Sequence, residues 1–502
     1  MDLLTGDQNQ ERRGTAEGRV GELPLGESLV AAKLVSEEEV ARALARQRDA
    51  GGTLGENLVR LGIIDRDRLE AFLEEGPPRL GGIADTGLDE TFLQSLALKV
   101  MYAYSAKKPA DVAEIMRLPV PIVRELLEGM RGRGLLEPLG AEATGRQLDL
   151  RYGISAAGKD WVQDALKQSV YAGPAPVPLS QWQAQVNRQH ITNDRVDQEA
   201  IAQSLEGLVI APELIARLGP AINAGRGMLL YGAPGDGKTS IATAIARSFS
   251  QSIWVPYAIE VEREIIKIFD PALHQGVSPE SAPSDDLKPS VMRARISAED
   301  RRWVRCVRPV VVTGGELTTD MLDLKFDPVG LYYEAPLHTK MTGGVFVIDD
   351  FGRQIARPEQ VLNRWVLPLE SRMDFLTLHT GKKFAVVFDG LVIFSTNLTP
   401  RTILDAAMMR RIPYNFHIAP PTREEYIEIF KRVCSAAGLA CDLDVIQPAM
   451  TRLYEEQKLP MSRFHPRFIV EHVVARCNYE GRDPVLDTEL VLDAAEHLYT
   501  KQ

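Results

Sequence analysis

The chain has 502 residues, of which 45% are hydrophobic and 25% charged, a balance typical of a soluble globular protein with roughly three or four domains. No apolar run approaches the roughly 18 residues of a membrane span, and the N-terminus has no apolar signal core. The net charge of −11 argues against a broad nucleic-acid surface, and 4 cysteines without metal-ligand spacing predict free thiols in a reducing cytoplasm.

The first 78 residues contain a polar leader and then a repeat. Residues 1–20 are predicted to be disordered. In the domain over residues 21–78, residues 25–30 recur as residues 54–59, at an offset of 29. Each unit predicts a short helix, a turn and a longer amphipathic helix, with Ser36 and Glu39 as a capping box in the first unit.

Residues 86–170 predict three helices, a strand pair and a closing helix, an order that resembles a winged helix. The helices are predicted over residues 88–104, 109–116 and 120–132, and the strands over residues 134–137 and 148–152. This segment carries 11 Lys and Arg against 11 Asp and Glu. DNA-reading domains usually have a basic face, so the charge favours a protein-docking domain over a DNA-binding one.

Residues 171–190 are rich in proline and predict a stiff linker between this domain and the rest of the chain. Further on, residues 275–288 are rich in Ser, Pro and Asp and predict a surface loop.

A complete G-x-x-x-x-G-K-[ST] phosphate loop follows a short apolar strand and opens a helix. Its glycines let consecutive backbone N–H groups face one anion, while Lys238 supplies a positive charge and Thr239 offers a hydroxyl to Mg²⁺. The predicted nucleotide-binding residues are Gly232, Ala233, Pro234, Gly235, Asp236, Gly237, Lys238, Thr239 and Ser240.

Two further apolar strands end in polar residues, as buried parallel strands do where they meet a ligand. The first ends in Asp349, a candidate for holding Mg²⁺ with Thr239, and Asp350, a candidate for polarising the attacking water. The second ends in Asn397, which could orient water or touch the γ-phosphate. Adjacent arginines, Arg410 and Arg411, end a later helix and suit a finger that reaches a neighbouring nucleotide.

This series of motifs resembles the AAA+ ATPases over residues 191–502. The resemblance implies an ATP- and Mg²⁺-dependent α/β core over residues 191–415 and a helical lid over residues 416–502, behind the all-α repeat domain and the winged-helix-like α+β domain. It implies that Arg411, with Arg410 as the alternate, is the finger and that Arg467 reaches the nucleotide from the lid. Leu208 and Val209 lie where the family packs adenine.

The region between the strand that ends in Asp349 and Asp350 and the strand that ends in Asn397 indicates which group of AAA+ proteins the chain resembles. A predicted β-hairpin over residues 374–387 is similar to the pre-sensor-1 group, which includes MoxR-type chaperones and enhancer-binding activators. Residues 303–342, with Tyr332, Tyr333 and Glu334, predict either a substrate-contacting loop or an internal structural loop. Where the family usually has Glu, this chain has Asp350, whose shorter side chain predicts slow hydrolysis.

The N-terminal repeat resembles the N-terminal domain of type II secretion and type IV pilus ATPases, some of which bind cyclic-di-GMP. The first unit keeps Gly26 and Gln47, but the expected arginine is Pro24, and Thr53 replaces it in the second unit. Cyclic-di-GMP binding and a simple helical docking module both remain open.

The sequence therefore predicts an ATPase that forms a homo-oligomeric ring, a hexamer in family terms, and remodels a protein client. Two alternatives stay open. One is a transcription regulator that binds DNA through the winged-helix-like domain, and the other is a nucleotide-gated scaffold with very slow hydrolysis.

Overall fold

The computed structural model describes residues 25–144, 147–277 and 299–499. The predicted leader and most of the predicted surface loop over residues 275–288 lie outside these ranges. Among the described residues, no helix is both long and apolar enough to cross a membrane.

The N-terminal domain consists of two helix pairs. Its elements are α1 (Leu25–Ala31), α2 (Glu37–Ala50), α3 (Leu54–Arg60) and α4 (Arg66–Glu74). The predicted capping box is confirmed, because the Glu39 N–H donates to Ser36 Oγ at 3.3 Å and the Ser36 N–H donates to Glu39 Oε2 at 2.8 Å. Thr53, which stands where the second unit would be expected to have an arginine, forms the same kind of capping box at the start of α3.

The repeated glycines have a packing role inside the domain. A Cβ atom on Gly26 would come within 2.6 Å of the Val40 side chain, and one on Gly55 within 3.0 Å of the Leu69 side chain. Each glycine thus lets the short helix approach the longer helix of its own unit. This close packing is enough to explain why glycine occurs at the same place in both units, whether or not the domain binds a ligand.

The second domain contains three helices, an antiparallel hairpin and a final helix, in the order that the sequence predicts. Its elements are α5 (Glu90–Tyr104), α6 (Pro109–Met116), α7 (Val120–Gly132), β1 (Leu136–Thr144), β2 (Gln147–Ile154) and α8 (Ala156–Gln168). Fully buried side chains such as Leu93, Val112 and Leu126 join the first three helices into one core.

The proline-rich segment over residues 171–190 is part of the folded core and not the stiff linker that the sequence predicts. It forms β3 (Val177–Pro178) and α9 (Leu179–Arg188), and both Trp182 and Val186 are buried. Proline fixes the backbone in an extended form, which suits an edge strand as well as a linker, and here β3 pairs with a strand of the second sheet described below.

The core is built on a five-stranded parallel sheet. The core elements are α10 (Gln198–Ser204), α11 (Pro212–Asn223), β4 (Met228–Gly232), α12 (Lys238–Ala246), β5 (Ile253–Pro256), β6 (Ala258–Val261), β7 (Glu264–Lys267), β8 (Trp303–Cys306), β9 (Val310–Thr313), β10 (Lys325–Asp327), β11 (Tyr332–Glu334), α13 (Leu337–Lys340), β12 (Gly344–Ile348), α14 (Pro358–Arg364), α15 (Val366–Ser371), β13 (Met373–Thr377), β14 (Lys383–Val387), β15 (Gly390–Thr396), α16 (Pro400–Ile403), α17 (Ala406–Arg411) and β16 (Tyr414–Ile418). The strand order of the parallel sheet is β16-β4-β15-β12-β9.

The register of the parallel sheet brings several strand ends together. Ile348 of β12 lies opposite Phe394 of β15, and Thr396 of β15 lies opposite Tyr231 of β4. Strands β12 and β15 are buried along their whole length, as expected of central parallel strands.

A second sheet, ordered β10-β11-β7-β6-β3, joins segments that are far apart in the chain. The predicted hairpin is confirmed as the antiparallel pair β13 and β14. Tyr333 is only 1% exposed in β11, and Glu334 pairs with Lys267 at 2.8 Å. The structure therefore favours the internal structural role for this stretch over the substrate-contacting one.

The C-terminal domain is helical. It contains α18 (Arg423–Ala436), α19 (Leu443–Met450), a π-helical turn (Thr451–Glu456), α20 (Phe464–Glu480) and α21 (Thr488–Glu496), which pack around their own apolar core.

Candidate nucleotide site

The phosphate loop connects β4 to α12 at the carboxyl end of the parallel sheet. Gly235 and Gly237 have φ angles of 84° and 82°, a left-handed conformation that side-chain-bearing residues rarely adopt. Gly237 directly precedes α12, so the N-terminus of this helix adjoins the loop, where free N–H groups favour an anion.

Lys238 and Asn397 form the centre of the site. The Lys238 ammonium, in a side chain only 6% exposed, donates to the Ala233 carbonyl at 2.8 Å, the Gly232 carbonyl at 3.2 Å and Asn397 Oδ1 at 2.7 Å. These acceptors hold the ammonium where phosphate oxygens would otherwise take its hydrogen bonds.

The paired acids lie beside these residues. Thr239 Oγ1 donates to Asp349 Oδ2 at 2.7 Å, and Asn397 Nδ2 donates to Asp350 Oδ1 at 2.9 Å. The φ angle of Asp350 is 47°, a left-handed value that aspartate tolerates better than most residues. The sheet register therefore brings the predicted residues together as two hydrogen-bonded sets, Lys238–Asn397–Asp350 and Thr239–Asp349, and each member of the second set is next in the chain to a member of the first.

Thr239 and Asp349 fit the Mg²⁺ that the motifs imply, because Mg²⁺ prefers a hydroxyl or carboxylate oxygen and keeps several water ligands. Their two oxygens already converge, as the hydrogen bond between them shows.

Asp236 is a charged residue inside the loop itself. Its side chain is 0% exposed, and neither carboxylate oxygen has a hydrogen-bond partner. Burial raises the pKa of Asp236, and the positive charges of Arg463 and Lys238 act against that rise. Burial likewise lowers the pKa of Lys238, against the charges of the nearby carboxylates.

The C-terminal domain covers the loop through Ser462 and Arg463. A Cβ atom on Gly235 would lie 2.5 Å from Ser462 Oγ, and one on Gly237 would lie 3.9 Å from Arg463 Cδ. Arg463 donates to the Ala419 carbonyl at 2.5 Å and to Glu425 Oε2 at 3.1 Å. Sequence reasoning missed Arg463, although its place directly before the lid helix was a usable signal.

Arg467, the lid arginine that the sequence predicts, lies elsewhere. Its side chain is 72% exposed and pairs with Glu471 of the same helix at 2.7 Å. The structure does not bring it to the phosphate loop.

The two candidate finger arginines have different surroundings. Arg411 Nη2 pairs with Glu370 at 2.8 Å, and Arg411 Nη1 donates to the Ala407 carbonyl at 3.1 Å. Arg410 is exposed at the end of α17. Arg411, the preferred finger from sequence, is thus engaged within its own chain, whereas Arg410 faces solvent.

Leu208 and Val209 lie in a half-buried segment before α11, at the junction with the C-terminal domain. Arg432 of α18 donates to the Glu206 carbonyl at 2.7 Å. The predicted adenine-packing residues are therefore next to the C-terminal domain as well as to the core.

Comparisons with known proteins give a partial picture. Residues 422–497 match a family described as a domain of unknown function, DUF8689. No curated protein matches the sequence. NtrX from Brucella abortus is similar at a TM-score of 0.36 and 15% identity, over 60% of this chain and 57% of that chain. Its complex with ADP is similar at a TM-score of 0.32 and 14% identity, over 66% and 58%.

A third similar structure is the RuvB Holliday junction branch migration motor of Thermotoga maritima. Its TM-score is 0.30 and its identity 16%, over 60% of this chain and 70% of that chain. This chain spans less than two thirds of the NtrX structures it matches. At these low scores, the functional assignment depends on the geometry of the site.

Proposed function

We propose that this protein binds and hydrolyses ATP as an AAA+ ATPase. The observation that carries the proposal is the arrangement of hydrogen bonds in the site. Lys238 donates to Asn397 and Asn397 donates to Asp350, while Thr239 donates to Asp349 beside them. A phosphate loop, two acids and a polar strand end thus converge at the edge of the sheet where α/β proteins bind ligands.

Each residue then has a distinct role in phosphoryl transfer. Lys238 exchanges its carbonyl and Asn397 partners for phosphate oxygens, while Thr239 and Asp349 hold Mg²⁺, which supplies charge neutralisation. Asp350 accepts a hydrogen bond from the attacking water and Asn397 orients it. Arg463 stabilises negative charge from the lid side, the role that the sequence assigns to Arg467.

Exposed Arg410 supports a finger that acts on the nucleotide of a neighbouring subunit, so we propose a homo-oligomeric ring. Within it, the N-terminal domains would dock or sense partners while nucleotide turnover remodels a protein client. Asp350 favours a second candidate, a nucleotide-gated scaffold, because its short side chain withdraws the carboxylate from the water.

Phosphate release by the full chain tests the assignment. Lys238→Ala is expected to lower turnover to background and to weaken ATP binding, because it removes the cation that faces the phosphates. Lys431→Ala, at an exposed lid position, serves as the matched control and should leave both unchanged. Unaltered turnover in Lys238→Ala would refute the proposed site. ATP binding with no measurable turnover in the wild type would favour the scaffold.

A further inference from the structure

A small cluster on the C-terminal domain, made of residues that take no part in the nucleotide site, has the composition of a transition-metal site. His472 on α20, and Asp493 and His497 on and just after α21, offer ligand atoms that all lie within 4.8 Å of one another. Two imidazoles and a carboxylate are a common ligand set for zinc and related divalent ions.

The distances suit a tetrahedral ion. Zinc bonds nitrogen and oxygen at about 2.0–2.2 Å, so two of its ligands at the tetrahedral angle are about 3.3–3.5 Å apart. His472 Nε2 and Asp493 Oδ2 are 3.4 Å apart. His497 is exposed, so its ring can rotate by the small amount needed to complete the set.

The surroundings hold the ligands in place. The Phe468 ring stacks on His472 with centroids 6.1 Å apart, and the rings of His472 and His497 are 4.9 Å apart. Arg476 contacts the Asp493 carboxylate and also donates to Glu480 at 2.9 Å. Arg476 contacts Asp493 Oδ2, the oxygen that also faces His472 Nε2, so it fixes the position of this oxygen beside the imidazole, and Glu480 shares the positive charge of Arg476.

We propose that His472, Asp493 and His497 bind one divalent transition-metal ion, of which zinc fits best, with water completing the coordination. The ion would connect α20 to α21 and thereby stabilise the C-terminal domain. This proposal is independent of ATP hydrolysis.

Full-length protein, stripped of metal and kept in excess Mg²⁺ to occupy the nucleotide site, provides the test. Titration with Zn²⁺ is expected to show one ion per chain and a rise in melting temperature. Titration with Co²⁺ is expected to give the visible absorption of a tetrahedral ion without thiolate charge transfer, which excludes Cys434 and Cys441 as ligands.

Variants assign the ligands. His472→Gln and His497→Gln should each weaken binding by at least about 100-fold, since even partners that only support a ligand are worth 10–100-fold. His379→Gln, an exposed histidine on the core, should bind like wild type. Circular dichroism checks that each variant folds. Absence of binding by the wild type, or wild-type affinity in either histidine variant, would overturn the site.

Discussion

Asp350 is the residue that most directly limits the proposed chemistry. The carboxylate of aspartate ends about one C–C bond, roughly 1.5 Å, short of where glutamate would place it. A displacement of this size can cost on the order of 100-fold in rate. Asn397 Nδ2 already donates a hydrogen bond to Asp350 Oδ1 at 2.9 Å, so the carboxylate is well oriented. The rate is therefore limited by the length of the side chain.

Asp350→Glu is expected to raise ATP turnover, by up to about 100-fold, because it returns the base to the position of the attacking water. The left-handed backbone at this position should make the variant slightly less stable. Steady-state phosphate release measures the first effect and thermal unfolding the second. The exposed Asp320→Glu serves as control. A fall in turnover would contradict the idea that side-chain length limits the rate.

Asp236 places a buried acid in the loop that is to receive a polyanion. Asp236→Asn keeps the shape and removes the charge, so ATP should bind more tightly, on the order of tenfold. Calorimetric titration with ATP measures this affinity, and an unchanged or weaker affinity would show that Asp236 does not oppose the phosphates.

The same substitution has a predicted pH signature. Because burial raises the pKa of Asp236, the folded state favours the protonated acid, and wild-type stability falls as pH rises through that pKa. The Asp236→Asn variant has no carboxyl group at this position and does not lose stability in this way. The stability gained by Asp236→Asn should therefore grow as the pH rises above about 4, the ordinary pKa of an aspartate, and level off once the pH exceeds the raised pKa of Asp236.

At the scale of elements, strands were easier to predict than helix faces. Lys238, Thr239, Asp349 and Asn397 follow three strands that lie side by side, and the carboxyl ends of parallel strands meet at one edge. Apolar strand patterns therefore located the site. No such rule chooses between Arg463 and Arg467, because both belong to the start of one helix and only tertiary packing decides which approaches the loop.

The two lid arginines form a matched pair for experiment. Arg463→Ala is expected to reduce ATP turnover by about 10- to 100-fold, the value of a hydrogen bond to a charged partner, whereas Arg467→Ala should stay within about twofold of wild type. Single-turnover measurements at saturating ATP separate this effect from weaker binding. Loss of activity in Arg467→Ala alone would restore the role that the sequence predicts.

At the scale of the whole molecule, the sequence could not show that the second sheet unites distant segments. Its strands come from residues 177–178, 258–267 and 325–334, so no local pattern reveals their pairing. Arg302 connects this region to the second domain. It is 1% exposed, pairs with Asp300 at 2.8 Å, and donates to the Thr86 and Pro176 carbonyls at 3.0 and 3.1 Å.

Arg302→Met should lower the free energy of unfolding by about 3–5 kcal/mol, because it leaves a buried carboxylate and two carbonyls without their donor. Arg301→Met, which removes only the exposed pair with Glu114, should change it by at most about 1 kcal/mol. The midpoints of urea denaturation compare the two. Equal effects would mean that the buried ion pair does not hold the domains together.

The pairing of β3 with β6 sets a limit on where the chain can be divided. A fragment that starts at residue 191, where the sequence places the beginning of the ATPase, would lack Trp182 and Val186 and would leave one edge of the second sheet unpaired. Unpaired sheet edges recruit strands from other molecules and promote aggregation. The smallest fragment of the proposed ATPase core that remains dispersed in solution should therefore begin before Val177.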